Sequence, residues 1–271
     1  MTKERKNERA KSSGWLRSFI LSLFHSLLMK KLLVIGAHSG DFVWRAAGTI
    51  AKSLEEGAET LVVALSYGER GESGELWKED PKRTVESVKE IRHEQAQRAA
   101  DALGTPTGRV RLQFLDWGDY PMLLTDERVE QLTNLIGDFE PTVILTHSER
   151  DPFNPDHPLA FQAVQRARLL SSGAGVPSAF KNIDPPVWYS FEPHQPELCG
   201  FVPDTFIDIT SVIEKKRAAM ACMGAQTYLR DYYNELASRR ANHARRISGQ
   251  KHVQFAEAHQ SQVPRVAGSI F

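Results

Sequence analysis

Residues 31–48, KLLVIGAHSGDFVWRAAG, constrain the chain more than any other stretch. The run 31–37 is apolar, with β-branched Val34 and Ile35, and reads as a strand buried on both faces, as in a parallel sheet. It ends at Gly36-Ala37, and His38 and Asp41 then follow three residues apart, with Gly40 between them. A strand running into such a pair delivers an imidazole and a carboxylate to the carboxyl edge of a sheet, where open α/β sheets bind their ligands. The two side chains are half of a divalent-metal site.

The rest of the chain repeats the strand–helix alternation. Helical spacing runs over 41–56 and Gly57 stops it; 60–65 (TLVVAL) is a second buried strand, completing a right-handed βαβ unit. Residues 66–77 are a loop rich in Gly and Glu, 85–103 a long amphipathic helix ended by Gly104, and 110–115 a strand followed by a loop at 116–121. A helix over 125–137 precedes another buried strand at 141–146 (PTVILT). Further on, 158–170 reads as helix, 171–178 as loop, 186–191 and 201–209 as strands, 211–223 as helix, and 227–255 as a charged helix ending in a loose tail. This order predicts a three-layer α/β fold, Rossmann-like, with a mainly parallel sheet and helices on both faces.

A chain of 271 residues supports one such domain, which the pattern places from Met29 onward. Residues 1–28 have a basic start (Lys3, Arg5, Lys6, Arg9, Lys11) and then a moderately apolar stretch interrupted by Arg17 and His25, without a small-residue cleavage site. They read as an N-terminal extension, disordered or helical, or as an over-extended start. Lys plus Arg equals Asp plus Glu at 34 each, so nothing in the charge calls for nucleic acid or an acidic membrane surface. No apolar run reaches the length of a membrane span. Cys199 and Cys222, far apart and outside any Cys-x-x-Cys spacing, point to a reducing, cytoplasmic setting.

Three strand ends carry unusual residues: His38/Asp41, the 67–75 loop, and 147–157 (HSERDPFNPDH). His38, Asp41 and His157 make a two-His, one-carboxylate set that leaves positions open for water or substrate, the ligand count of catalytic zinc. Asp156, adjacent to His157, is a candidate to orient it or to act as a base.

The strand followed by Ala37-His38-x-x-Asp41, together with the later strand followed by Pro155-Asp156-His157, resembles the PIG-L/LmbE-like superfamily of zinc enzymes. The resemblance extends from Met29 to about Phe255 through Arg92, Glu94, Gly104 and the Asp208-Ile209-Thr210 and Lys215-Lys216 segment. It implies an LmbE-like catalytic domain over 29–271, with His38, Asp41 and His157 as zinc ligands. The chain also departs from the pattern. Deacetylases of the superfamily carry a general-base Asp directly before the liganding Asp, where this chain has Gly40. They carry an oxyanion-stabilising His three residues before the last ligand, where this chain has Asn154. Amide hydrolysis needs a base and an oxyanion donor, and Gly40 supplies neither.

The strings AHSGDFVWRAAG, SYGERGESGELW and FEPHQPELCGFVPD resemble the 4-oxalomesaconate hydratase branch of the superfamily. That implies a hydro-lyase of gallate and protocatechuate degradation, adding water to a conjugated double bond to give 4-carboxy-4-hydroxy-2-oxoadipate. The alternative is a zinc-dependent N-deacetylase of an amino sugar or related amide, and a third reading is a metal-binding protein without chemistry. For the hydratase, Glu72 is the leading acid/base, with Glu69 or Glu75 as substitutes in a loop whose glycines allow close approach to a ligand. His194, in a proline-flanked loop, suits proton transfer, whereas His147 reads as structural. A polycarboxylate substrate needs cationic partners, for which Arg45 and Arg70 are candidates, with Asn154 as a neutral donor. The basic run 239–246 reads as a subunit contact or anion clamp, and the superfamily resemblance implies a homo-oligomer, a trimer or hexamer.

Overall fold

The computed structural model describes residues 30–264; the extension read in 1–28 lies outside them. In chain order the elements are β1 (Lys31–Gly36), α1 (Asp41–Glu55), β2 (Glu59–Ala64), α2 (Gly74–Glu79), α3 (Val85–Ala102) and β3 (Val110–Phe114). Then come α4 (Asp126–Phe139), β4 (Val143–Thr146), α5 (Asp156–Ser172), β5 (Val187–Phe191), α6 (Pro196–Cys199) and β6 (Thr205–Asp208). The last are α7 (Ile213–Ala221), a 3₁₀ turn at Gly224–Gln226, α8 (Leu229–Ser248) and β7 (Ala256–Ser261).

The strands form one seven-stranded sheet in the order β3-β2-β1-β4-β5-β7-β6. β1 to β5 are parallel to their neighbours, while β7 runs antiparallel to both β5 and β6. The chain moves outward from β1 in one direction and then returns to place β4 on its other side, with Leu32 opposite Val143 and Val34 opposite Leu145. The crevice outside the carboxyl ends of β1 and β4 is therefore the topological switch point, where such sheets take their ligands.

Both faces of the sheet are covered, which explains the unbroken apolar runs of the inner strands. In β1, Leu32 and Val34 pack with Trp44 of α1, Ala96 of α3, Met220 of α7 and Tyr233 of α8. Leu33 and Ile35 face the other way, toward Leu132 and Ile136 of α4 and Phe161 and Val164 of α5. Thr84 and Thr125 start α3 and α4 by accepting hydrogen bonds from the backbone N–H groups of Ser87 and Arg128.

Several sequence expectations are corrected: the loop read at 66–77 gives way to helix α2 at Gly74, and the helix read over 227–255 is confined to Leu229–Ser248. The helix read at 158–170 begins at Asp156, so His157 stands in its first turn; Pro158 is tolerated there because first-turn N–H groups have no helical partner. The strand read over 201–209 is confined to Thr205–Asp208. The tail read as loose after 255 is strand β7, wedged between β5 and β6.

β7 escapes a hydropathy reading because its buried residues include Glu257 and His259. Glu257 accepts hydrogen bonds from the N–H groups of Gly48 (2.9 Å) and Thr49 (2.7 Å) in α1, from the Thr49 hydroxyl, and from Lys216 Nζ (2.5 Å). Lys216 also donates to the Trp44 carbonyl (2.8 Å), so this buried pair clamps α1, α7 and β7 together. Burial pushes the Glu257 carboxyl up, but Lys216 and His259 outweigh it and hold the group below the usual carboxylate range.

Burial drives the His259 imidazole from 6.5 down to about 4. It folds neutral, whereas the unfolded chain takes up a proton near pH 6.5, so stability falls as pH drops from 6.5 toward 4. That interval corresponds to a loss of about 3 kcal/mol, and the depressed carboxyl of Glu257 adds a further loss at the acidic end. His259→Gln, which keeps a hydrogen-bonding group beside Thr49, is expected to flatten the stability profile between those pH values, as read by urea midpoints at matched ionic strength.

Candidate active site

At the switch point lies a cavity of about 180 Å³. Among its lining residues is Asp41, the first residue of α1, whose side chain turns back toward His38. Asp41 Oδ2 accepts the backbone N–H of His38 at 2.7 Å and lies 3.0 Å from His147 Nε2. Its Oδ1 faces Arg45 Nε at 3.5 Å and His157 Nε2 at 3.7 Å. Burial pushes this carboxyl up; His147, His38 and His157 reverse the effect and hold it well below the usual range, so it is an anion.

The flanking histidines share one design. His38 rests Nε2 on Asp156 Oδ2 (3.2 Å), and its Nδ1 is buried without a hydrogen-bond partner, 3.5 Å from Asp41 Oδ2. His157 rests Nδ1 on Asp151 Oδ2 (2.7 Å), and its Nε2 is likewise buried and unpartnered. Two orphaned nitrogens on either side of a carboxylate, each ring braced by a further carboxylate, form a donor set suited to a divalent cation. Among the described residues, His38/Glu72/His157 and Asp41/His147/His157 each bring ligand atoms together closely enough for one ion. A third group, His38/Asp119/Asp156, has its carboxylates committed to backbone N–H groups of Arg70, Gly71, Tyr120 and Met122.

The electrostatics agree. Burial lowers the affinity of His38 for a proton, but the bonds to Asp156 and Asp41 overcome it and raise the group to about 10. His157, buried and stacked on His147 at 3.9 Å between ring centres, is held well below its ordinary value. The pocket thus attracts positive charge while keeping His157 an uncharged electron-pair donor.

Glu72 lies on the cavity wall beside this cluster, its Oε1 4.0 Å from His38 Nδ1. Asn154 Nδ2 donates to Oε1 at 2.7 Å, and Gln226 Nε2 donates to Oε2 at 2.6 Å. The other loop glutamates are elsewhere. Glu69 is buried beside Asp119 and Arg70, its carboxyl pushed up by burial, and Glu75 meets Thr227. Gly71 serves packing rather than ligand approach, since a Cβ there would lie 2.2 Å from the Tyr120 ring.

Of the remaining candidates, His38, Asp41, Arg45, Asn154, His157 and His194 line the cavity. Arg70 does not; its half-exposed side chain stays with Glu69 and the Asp119 carbonyl. Asp156 sits behind His38 rather than beside the ring of His157, with both oxygens engaged, and so holds the His38 ring in place. His147 braces the base of the site, accepting from the Ala37 N–H (2.9 Å). The segment carrying His194 is pinned from α8: Tyr232 donates to the His194 carbonyl, and Arg240, buried within the basic run, grips Glu192 through both carboxylate oxygens. The run therefore presents no single surface patch, since Arg239 points outward to Glu235.

Two site residues carry no motif in the sequence. Asp151 had a usable signal, an acidic residue just past a buried strand in the His147–His157 loop. Gln226 had none, because it arrives from a 3₁₀ turn 186 positions after Gly40. Asp151→Asn and Asp156→Asn are each expected to weaken divalent-cation binding by about 10–100-fold, because the ligand ring loses its anionic brace. Competition against a chromogenic chelator measures this.

The family model described as GlcNAc-PI de-N-acetylase, PIG-L, matches residues 33–168. The chain is 43% identical to the 4-oxalmesaconate hydratase of Pseudomonas putida over 244 residues, covering 89% of this chain and 92% of that protein. It is 27% identical to the diacetylchitobiose deacetylase of Thermococcus kodakarensis, covering 71% and 68%. Among solved structures, GalB of Pseudomonas putida KT2440, the 4-carboxy-2-hydroxymuconate hydratase, superposes with a TM-score of 0.84 over 90% of this chain and 100% of that one, at 43% identity. A conserved protein of Thermus thermophilus, TT1542, shares the fold, with a TM-score of 0.70 at 22% identity over 88% and 97%. The chain belongs to the PIG-L family.

Proposed function

We propose that the protein is a zinc-dependent hydratase that adds water to 4-oxalomesaconate, giving 4-carboxy-4-hydroxy-2-oxoadipate in gallate and protocatechuate degradation. The observation that carries the reading is the held carboxylate of Glu72 on the cavity wall, with no carboxylate at position 40 beside Asp41. The similarity to the Pseudomonas putida hydratase supports it. The substrate names of the two hydratases describe the keto and enol forms of one carbon skeleton.

In this reading His38, Asp41 and His157 hold the ion. Zinc there supplies Lewis acidity, acidifying a coordinated water or polarising an oxo group. The protein's own groups supply the rest. Hydroxyl adds to the fully substituted alkene carbon, and a proton goes to the neighbouring CH carbon, which becomes a CH₂. Glu72, its two oxygens oriented by Asn154 and Gln226, delivers or removes that proton. His194, lining the same cavity, serves as the second proton carrier; burial lowers its pKa and keeps it neutral and able to accept. Arg45 lines the cavity with one arm tied to the Glu192 carbonyl (3.0 Å) and offers its charge to a substrate carboxylate. The protein works in the cytoplasm as a homo-oligomer, a trimer or hexamer.

Deacetylation, the reaction named for several relatives, is the second reading, favoured by the PIG-L match. It requires a base that Gly40 does not provide.

Hydration breaks the conjugation of the substrate, so turnover is followed by loss of its ultraviolet absorbance. Chelator-treated protein is expected to lose activity and regain it with Zn²⁺, and Glu72→Gln to lower kcat by roughly 10²–10⁴-fold. Full turnover by metal-free protein would overturn the zinc role. Acetate release from N-acetylated amines, without hydration, would select the second reading.

A further inference from the structure

We infer that Gln226 is a positioning residue that aims the Glu72 carboxylate, and that Gly40 lacks a side chain in order to admit it. This rests on the assignment of Glu72 as the proton carrier.

Gln226 is 2% exposed and ends the 3₁₀ turn between α7 and α8. Its Oε1 accepts from Trp44 Nε1 at 3.2 Å and from Arg92 Nη2 at 3.0 Å. Indole and guanidinium nitrogens only donate, so the amide oxygen must face them; the reversed amide would set NH₂ against two buried donors. That leaves Nε2 one direction, toward Glu72 Oε2 at 2.6 Å. Arg92, itself fully buried, is fixed by the Tyr67 carbonyl (3.3 Å) and by Gln95 Oε1 (3.2 Å), which also receives the Ala225 N–H (3.4 Å). The orientation therefore comes from a rigid chain running from α3 and α1 through the amide to the carboxylate.

Asn154 completes the arrangement on the other oxygen. Its Oδ1 accepts the Asp156 N–H (3.1 Å), so its NH₂ is also directed at Glu72. Each carboxylate oxygen thus has one amide donor whose own orientation is set by fixed partners.

Position 40 belongs to the same device. A Cβ on Gly40 would lie 2.8 Å from Gln226 Oε1, and 3.1 Å from both Arg92 Nη2 and Trp44 Nε1. Any side chain there displaces the amide. The position that departs from the deacetylase pattern is where Gln226 lodges.

The test compares Gln226→Met, Gly40→Ala, Gln226→Ala and the Gly40→Ala/Gln226→Ala pair on zinc-loaded protein. Gln226→Met is expected to lower kcat by about 10–100-fold with KM nearly unchanged. The solvent deuterium isotope effect on kcat should rise, with zinc content and thermal midpoint retained. A merely structural role would move the midpoint and leave the isotope effect alone. Gly40→Ala is expected to reproduce the loss in the wild type and to add little in the Gln226→Ala background, where the nearest of the three atoms it meets is gone. If Gln226→Met does not fold, Gly40→Ala carries the same test. Glu72→Gln separates the failures. Wild-type turnover by Glu72→Gln would remove the Glu72 assignment and this inference together. An inactive Glu72→Gln beside unchanged kcat and isotope effect in Gln226→Met and Gly40→Ala overturns this inference alone.

Discussion

A carboxylate buried among histidines organises this protein. Taking Asp41 out of water costs several kcal/mol unless donors and positive charge replace the lost solvation. The fold provides them from around the cavity: the His38 N–H donates from the turn after β1, Arg45 brings its charge from one helical turn along α1, and His147 lies against Oδ2 from the end of β4. The His38 N–H and Arg45 are local to Asp41, but His147 reaches it only because β1 and β4 are neighbours, so the sheet order and the site are one constraint. The Ala37 N–H on His147 Nε2 ties the two strand ends directly.

A further layer of carboxylates braces the histidines around Asp41. Asp156 and Asp151 do not enter the cavity as ligands; they hold the rings of His38 and His157 so that one nitrogen of each stays free and aimed. Asp156 does more, because its Oδ2 also accepts the Tyr120 N–H and its Oδ1 the Met122 N–H, which fixes the segment carrying Tyr120 on the cavity wall. The aim of the His38 ring and the shape of the cavity are therefore coupled through one side chain.

The legible parts of the fold were those governed by local chemistry. β1, β2 and β4 were readable because strands buried on both faces must be apolar throughout. The arrival of His38 and Asp41 at the cavity was readable because they follow such a strand, whereas His157 reaches it from the first turn of α5. β7 was hidden because Glu257 and His259 are tolerated only in the presence of Lys216, Thr49 and the backbone of α1, partners far away in sequence. The three glutamates of the 67–75 loop could not be ranked for a related reason. Which one faces the cavity depends on Asp119, Trp77 and Gln226, and Glu69 is turned inward by contacts no spacing rule anticipates. Arg240 shows the same limit, a buried anchor lying inside what reads as a basic surface run.

Position 40 connects the two scales. Read as sequence, Gly40 is an absence, a missing base in a family whose deacetylases have one. In the fold the space is occupied, and its occupant carries an amide rather than a carboxylate. An aspartate at that point would stand beside Asp41 as a second anion able to take a proton from water. An amide at that point is neutral; it takes hydrogen bonds from Trp44 and Arg92 and passes its own to Glu72. In the proposed reaction the acid/base function thereby moves from the residue beside Asp41 to Glu72, held on the cavity wall by that amide. A scaffold built to attack an amide carbonyl then becomes one for protonating carbon by relocating one carboxylate, with the cation site left as it was.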